Sequence, residues 1–192
     1  MMSLQIIKKD FQYHLEVLKK MEPLYPVIEN MAAICVTALQ EGHKILICGN
    51  GGSAADAQHI AAELVGRYHN ERCSLPSIAL TTDTSILTAV GNDYDFNRIF
   101  ARQVEGLGEK GDVLWGISTS GNSGNVNEAL RMAQQMGLKT IGSTGKSGGD
   151  MVSLCDVALI VPDNVTARIQ EMHMLCAHII CEIIDNMDWK KS

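Results

Sequence analysis

The chain has 192 residues, 46% of them hydrophobic and 20% charged, with a formal net charge of −6. That balance fits one soluble globular domain with a substantial core and leaves no disordered half. The acidic balance argues against binding along a nucleic-acid backbone, and no apolar run approaches the roughly 18 residues of a membrane span, so neither nucleic acid nor membrane is an expected partner.

The N-terminus lacks the basic, apolar and small-residue order of a secretory leader, which makes a cytoplasmic location the expectation. Leu4, Ile7, Phe11, Leu15 and Leu18 recur at helical spacing, and Ile28, Met31, Cys35 and Leu39 do so again after the break between Pro23 and Pro26. Two amphipathic helices therefore precede the first strand. They lie outside the pattern that follows, so residues 1–42 read as helices that partly cover the core and partly meet another subunit.

From residue 43 the pattern alternates. Apolar runs predict strands at Lys44–Cys48, Pro76–Leu80, Asp112–Ile117, Lys139–Ser143 and Val157–Val161. Helices are predicted over 53–66, 95–107, 122–136 and 165–187, with short ones near 84–90 and 148–154. Near-continuous apolar strands joined by crossovers imply a parallel sheet covered on both faces. The fold class is α/β, a three-layer sandwich around a five-stranded, flavodoxin-like sheet, with residues 43–192 forming the core and a C-terminal helix. That last helix carries Ile169, Met172, Met174, Leu175, Ile179, Ile180, Ile183 and Ile184, too many for one sheet face, and this points to a homo-oligomer. The six cysteines have no CxxC spacing and read as free, mostly buried thiols.

The chain is organised around Cys48-Gly49-Asn50-Gly51-Gly52-Ser53, a strand running into a glycine turn and a helix that Ser53 is expected to cap. A helix start reached through such a turn favours an anion such as phosphate. The same helix carries His59 and Glu63, four residues apart on one face and close to that turn. A second strand-to-helix turn, Ser118-Thr119-Ser120-Gly121-Asn122-Ser123, is rich in hydroxyl donors. In strand order 2-1-3-4-5 both turns converge on the topological switch point. Gly49, Gly51 and Ala54 also fit the dinucleotide-binding glycine pattern, but the next acidic residue near a strand end, Asp83, comes too late for the ribose contact, and no Lys follows as in an ATPase phosphate loop.

The last helix adds Gln170, Glu171, His173, His178 and Glu182. Taken by itself, His178 reads as a hydrogen-bonded core histidine, and helical geometry does not choose between Glu171 and Gln170 as its partner. His14, His43 and His69 have no such company and read as surface residues.

In the segments GNGGSAADAQHIAAEL, LTTDTSILTAVGND, GISTSGNSGNV and ARIQEMHMLCAHI the chain closely resembles the sugar isomerase domain (SIS) family, over essentially its whole length. The resemblance implies an aldose–ketose isomerase that converts sedoheptulose 7-phosphate to D-glycero-D-manno-heptose 7-phosphate through an enediol, for bacterial lipopolysaccharide or another surface polysaccharide. It implies a homotetramer with interfacial active sites and one Zn2+ per subunit held by His59, Glu63, Gln170 and His178. It places substrate contacts on Asn50, Gly51, Gly52, Ser53, Glu63, Asn92, Asp93, Ser118, Thr119, Ser120, Ser123 and Gln170, with Arg67 close by, and makes Glu63 and His178 catalytic. Family members that bind the bacterial replication initiator, or that sense sugar phosphates, give two non-catalytic alternatives. The initiator binder typically lacks the residues at the positions of Glu63 and His178.

Overall fold

The computed structural model describes residues 2–189. Its sheet has the order β2-β1-β3-β4-β5, all strands parallel, with β1 at Ile45–Gly49, β2 at Ser77–Ala79, β3 at Val113–Ile117, β4 at Lys139–Gly145 and β5 at Val157–Val161. Every residue of β1 and β3 is buried, as the unbroken apolar runs require of central strands covered on both faces. Alternate side chains then serve two cores. Ile45 and Ile47 join Val113, Trp115 and Ile117 beneath α2 (Tyr25–Gln40), α3 (Gly52–Val65) and α7 (Thr166–Asp185). Leu46 and Cys48 join Leu114 against α5 (Ala101–Leu107) and α6 (Gly124–Met136).

The first helix, α1 (Met2–Lys19), buries only Val17 among its described residues, while Leu4, Ile7, Phe11 and Leu15 are exposed. It is tethered at points: the Tyr13 hydroxyl donates to Asp163, and Arg168 Nη1 donates to the Asp10 carbonyl. By contrast α2 buries seven residues against the sheet. On α7, Ile169, Met172, Ile180 and Ile184 face the core and Leu175 and Ile179 face outward.

Several boundaries differ from the sequence reading. Ser53 does not cap α3: Gly51 occupies that place at φ +55, and Ser53 lies buried in the first turn. The helix predicted over 95–107 is broken, because Asp95 caps a 3-10 turn at Phe96–Arg98 by accepting from Asn97 N, and α5 starts only at Ala101. The short helix expected near 84–90 runs on as α4 (Thr84–Asp93), started by Asp83 accepting from Ile86 N. A 3-10 segment at Asp150–Leu154 stands where a short helix was expected. The six cysteines are free, four of them buried and Cys73 and Cys155 half-buried.

The core histidine of α7 is His173, not His178. It is 2% exposed, its Nε2 lies 2.9 Å from the Thr144 carbonyl, and its Nδ1 is buried without a partner. Burial pushes its pKa down to about 4, with the Thr144 carbonyl pulling the other way. The unfolded chain therefore takes up a proton near pH 6.5 that the folded chain refuses. Stability is full above that value and falls toward pH 4, by up to about 1.4 kcal/mol per pH unit. Urea melts of His173→Gln should lose that slope; an unchanged slope would assign it to other groups.

Candidate active site

β1 and β3 are neighbours, with Gly49 in register with Ile117, and their chains leave toward opposite faces of the sheet, into α3 and α6. The glycine turn and the hydroxyl turn therefore open on one crevice, at the carboxyl ends of the strands. A side chain at Gly49 would meet Ser53 at 2.7–2.9 Å, so the turn closes tightly only without one. Gly121 adopts φ +68 where a Cβ would fall on the Gly148 carbonyl.

Hydrogen bonds tie the two turns into one unit. Asn50 and Asn125 exchange amide bonds at 2.8 Å in both directions, and Asn125 Oδ1 also accepts from Val126 N. Ser118 and Ser123 hydroxyls lie 2.8 Å apart, Ser120 Oγ accepts from Asn122 N, and Asn127 Nδ2 donates to the Gly121 carbonyl. Ser118 is buried while Thr119, Ser120 and Ser123 are partly open. Polar side chains so constrained present a preformed set of donors to an anion.

Along α3, Gly52, Asp56, His59 and Glu63 recur at spacings of four, three and four, so they share one face, which looks toward α7. The Gln170 amide crowds Gly52, where a Cβ would collide with its Nε2. Further along, His59 Nε2 stands 3.0 Å from Glu63 Oε1 and 3.1 Å from His178 Nε2. One ligand atom from each of these three residues falls within 4.8 Å of the others. Two imidazole nitrogens facing each other beside a carboxylate offer more lone pairs than shared protons satisfy, and such an N2O set suits a borderline cation such as zinc. The structure thus gathers His59, Glu63 and His178 and stands Gln170 at the glycine end of the same groove. Glu71 and Arg67 pair on the surface beyond α3, at 3.7 Å. Asn92 and Asp93 are exposed on the last turn of α4, where they bond to one another.

Glu171, the alternative partner of His178, turns elsewhere. It pairs with Arg168 at 2.6 Å and with His14 at 2.7 Å, toward α1. His14 is therefore not a lone surface residue. His43 is half-buried, 3.7 Å from Asp112, and His69 is exposed as expected but packs its ring on Tyr68. The residue missed in the groove is Asp56. Its Oδ2 is buried without a hydrogen bond, and burial raises the carboxyl while His59 offsets part of the rise. Its place on the Gly52, His59 and Glu63 face was legible as helical spacing.

Comparison with known proteins identifies the family. Residues 11–145 match the model of the SIS domain. The chain is 60% identical over 181 residues to a phosphoheptose isomerase of Aliarcobacter butzleri, covering 94% of this chain and 96% of that one. A solved phosphoheptose isomerase of Neisseria gonorrhoeae superposes with a TM-score of 0.91 at 45% identity, over 96% of this chain and 99% of that one. One from Francisella tularensis superposes at 0.94 with 40% identity, over 97% and 100%.

Proposed function

The chain belongs to the SIS domain family, and from that premise we propose that it is a phosphoheptose isomerase, converting sedoheptulose 7-phosphate to D-glycero-D-manno-heptose 7-phosphate. The observation that carries the reading is the meeting of His59, Glu63 and His178 on the groove that begins at the two anion-binding turns. A module that only senses a sugar phosphate needs the turns but has no use for that trio, and the initiator binder typically lacks the residues at the positions of Glu63 and His178.

In this reading the substrate phosphate rests on Ser118, Thr119, Ser120 and Ser123, and Asn50, Gly51, Gly52, Ser53, Asn92, Asp93 and Gln170 line the sugar chain. Isomerisation moves one proton between C1 and C2 and exchanges protons on the two oxygens, with an enediol between. Glu63 serves as the base that carries the carbon-bound proton, and His178 as the acid and base for the oxygens. Zinc fits the donor set of His59, Glu63 and His178, with Gln170 as a fourth donor from the glycine end, one ion per subunit. When bound it supplies Lewis acidity that polarises a carbonyl oxygen.

The apolar stripe of α1 and the outward residues of α7 support a homotetramer with interfacial sites, and the reaction belongs in the cytoplasm, supplying heptose for a surface polysaccharide. Among the described residues no helix is long and apolar enough to cross a membrane.

One experiment tests the reading. Protein whose tetrameric mass is verified by light scattering is assayed for isomerisation of sedoheptulose 7-phosphate before chelation, after it, and after zinc is restored. Loss and recovery are expected. Activity that survives demonstrated metal removal would make Glu63 and His178 a metal-free pair, a monomer would remove the interfacial site, and no turnover under any condition would remove the isomerase.

A further inference from the structure

Between α3 and β2 the chain makes a strap, residues 66–73, that is fastened to the far end of α7 by two buried charges. Arg72 is 5% exposed and Asp185 3%. Burying both is costly unless specific bonds offset the lost hydration. Asp185 Oδ1 accepts from Arg72 Nε at 2.9 Å, and Oδ2 accepts from the backbone N–H groups of His69 and Asn70 at 3.0 and 2.7 Å. Arg72 also donates to the carbonyls of Glu63, Leu64 and Cys73 at 2.9–3.0 Å, which closes the end of α3. The strap, the end of α3 and the last turn of α7 are thereby locked together.

The lock has a geometric result at the site. Asp185 follows His178 by seven residues, so both project from nearly the same face of α7. The strap held at Asp185 carries Tyr68 back along that face to His178, with ring centroids 5.9 Å apart and planes inclined at 34°. His178 meets His59 across an edge contact, at 5.0 Å and 62°. Tyr68 is braced in turn by His69 at 4.2 Å. A histidine ring on a helix has a broad, roughly two-fold terminal torsion. Here the Tyr68 ring stands beside the imidazole.

We propose that Tyr68, pinned by the Arg72–Asp185 pair, is a positioning residue that holds the His178 imidazole toward His59 and Glu63. The kinetic part of the proposal rests on the isomerase reading; the geometric part does not. Tyr68→Phe and Tyr68→Leu separate ring from hydroxyl and leave the buried pair in place. Expected is a kcat about tenfold lower for Tyr68→Leu with KM within about twofold of the parent, and near-parental kcat for Tyr68→Phe, at matched melting temperatures. A crystal structure of Tyr68→Leu should show His178 Nε2 beyond hydrogen-bond distance of His59 Nε2. Parental kcat in Tyr68→Leu, equal losses in both variants, a loss confined to KM, or His178 unmoved in the crystal would each overturn it. If the parent protein itself shows no turnover, the isomerase reading fails, and the crystal structure still decides the position of His178.

Discussion

Glu63→Gln should lower kcat by about 10²-fold or more while KM stays within a few-fold of the parent. The amide is isosteric, so the groove keeps its shape. What disappears is the ionised oxygen that lies 3.0 Å from His59 Nε2. Stability should barely change, because the His59–Glu63 pair is partly exposed, with side chains 48% and 24% accessible, and such helix pairs contribute only about 0.3–0.5 kcal/mol. Substrate binding should persist because the hydroxyl turn after β3, the phosphate site of the proposed reading, is untouched. The same variant also addresses a chemical tension: a carboxylate that holds a cation is a weaker base than a free one. If excess zinc restores turnover, Glu63 acts as a ligand only. If zinc reloads without restoring turnover, Glu63 is the base. Parental turnover at ordinary zinc would exclude it from both roles.

The elements that were legible in the sequence are those set by local chemistry. Central strands such as Ile45–Gly49 and Val113–Ile117 are buried on both faces, so their apolar runs carry the signal unaided. The convergence of the two turns followed from strand order, since β1 and β3 flank the point where the connections change faces. Ser53 misled because a serine after glycines has the chemistry of a cap, whereas the positive φ needed at that turn is met by Gly51 and the hydroxyl goes inward. That Glu171 is no partner of His178 was invisible to helical periodicity, because it depends on Arg168 and His14 drawing Glu171 toward α1. His173 and His178 were likewise indistinguishable on apolar neighbours alone. What separates them is a carbonyl at the end of β4, 29 residues earlier in the chain.

The least legible feature is also the one whose loss should cost most in stability. Arg72 and Asp185 are 113 residues apart, and neither sits in a recognisable motif. Arg72→Leu should destabilise the fold by about 3–5 kcal/mol, measured by urea denaturation at pH 7, because it leaves the Asp185 carboxylate buried with only the His69 and Asn70 amides and strips the donor from carbonyls that include those of Glu63, Leu64, Gly66 and Cys73. Replacing both partners, as Arg72→Leu with Asp185→Leu, should recover part of that loss, since the stranded charge goes too. The pH dependence has a definite sign. Burial alone would raise the Asp185 carboxyl, but the amides of Asn70 and His69 and the Arg72 guanidinium outweigh it and hold the group below its ordinary value of 3.8. Its contribution in the parent is therefore present above about pH 4 and lost as pH falls through the lower, folded value. In Arg72→Leu the carboxyl loses its counter-charge, takes up a proton at higher pH than in the parent, and thereby relieves its own burial cost. The gap between parent and variant should be widest near neutrality and narrow in acid. A gap below about 1 kcal/mol at pH 7 would mean that water or a neighbouring cation replaces the guanidinium, and that the bonds of His69 and Asn70 to Asp185 and Asn186 suffice to hold the strap carrying Tyr68.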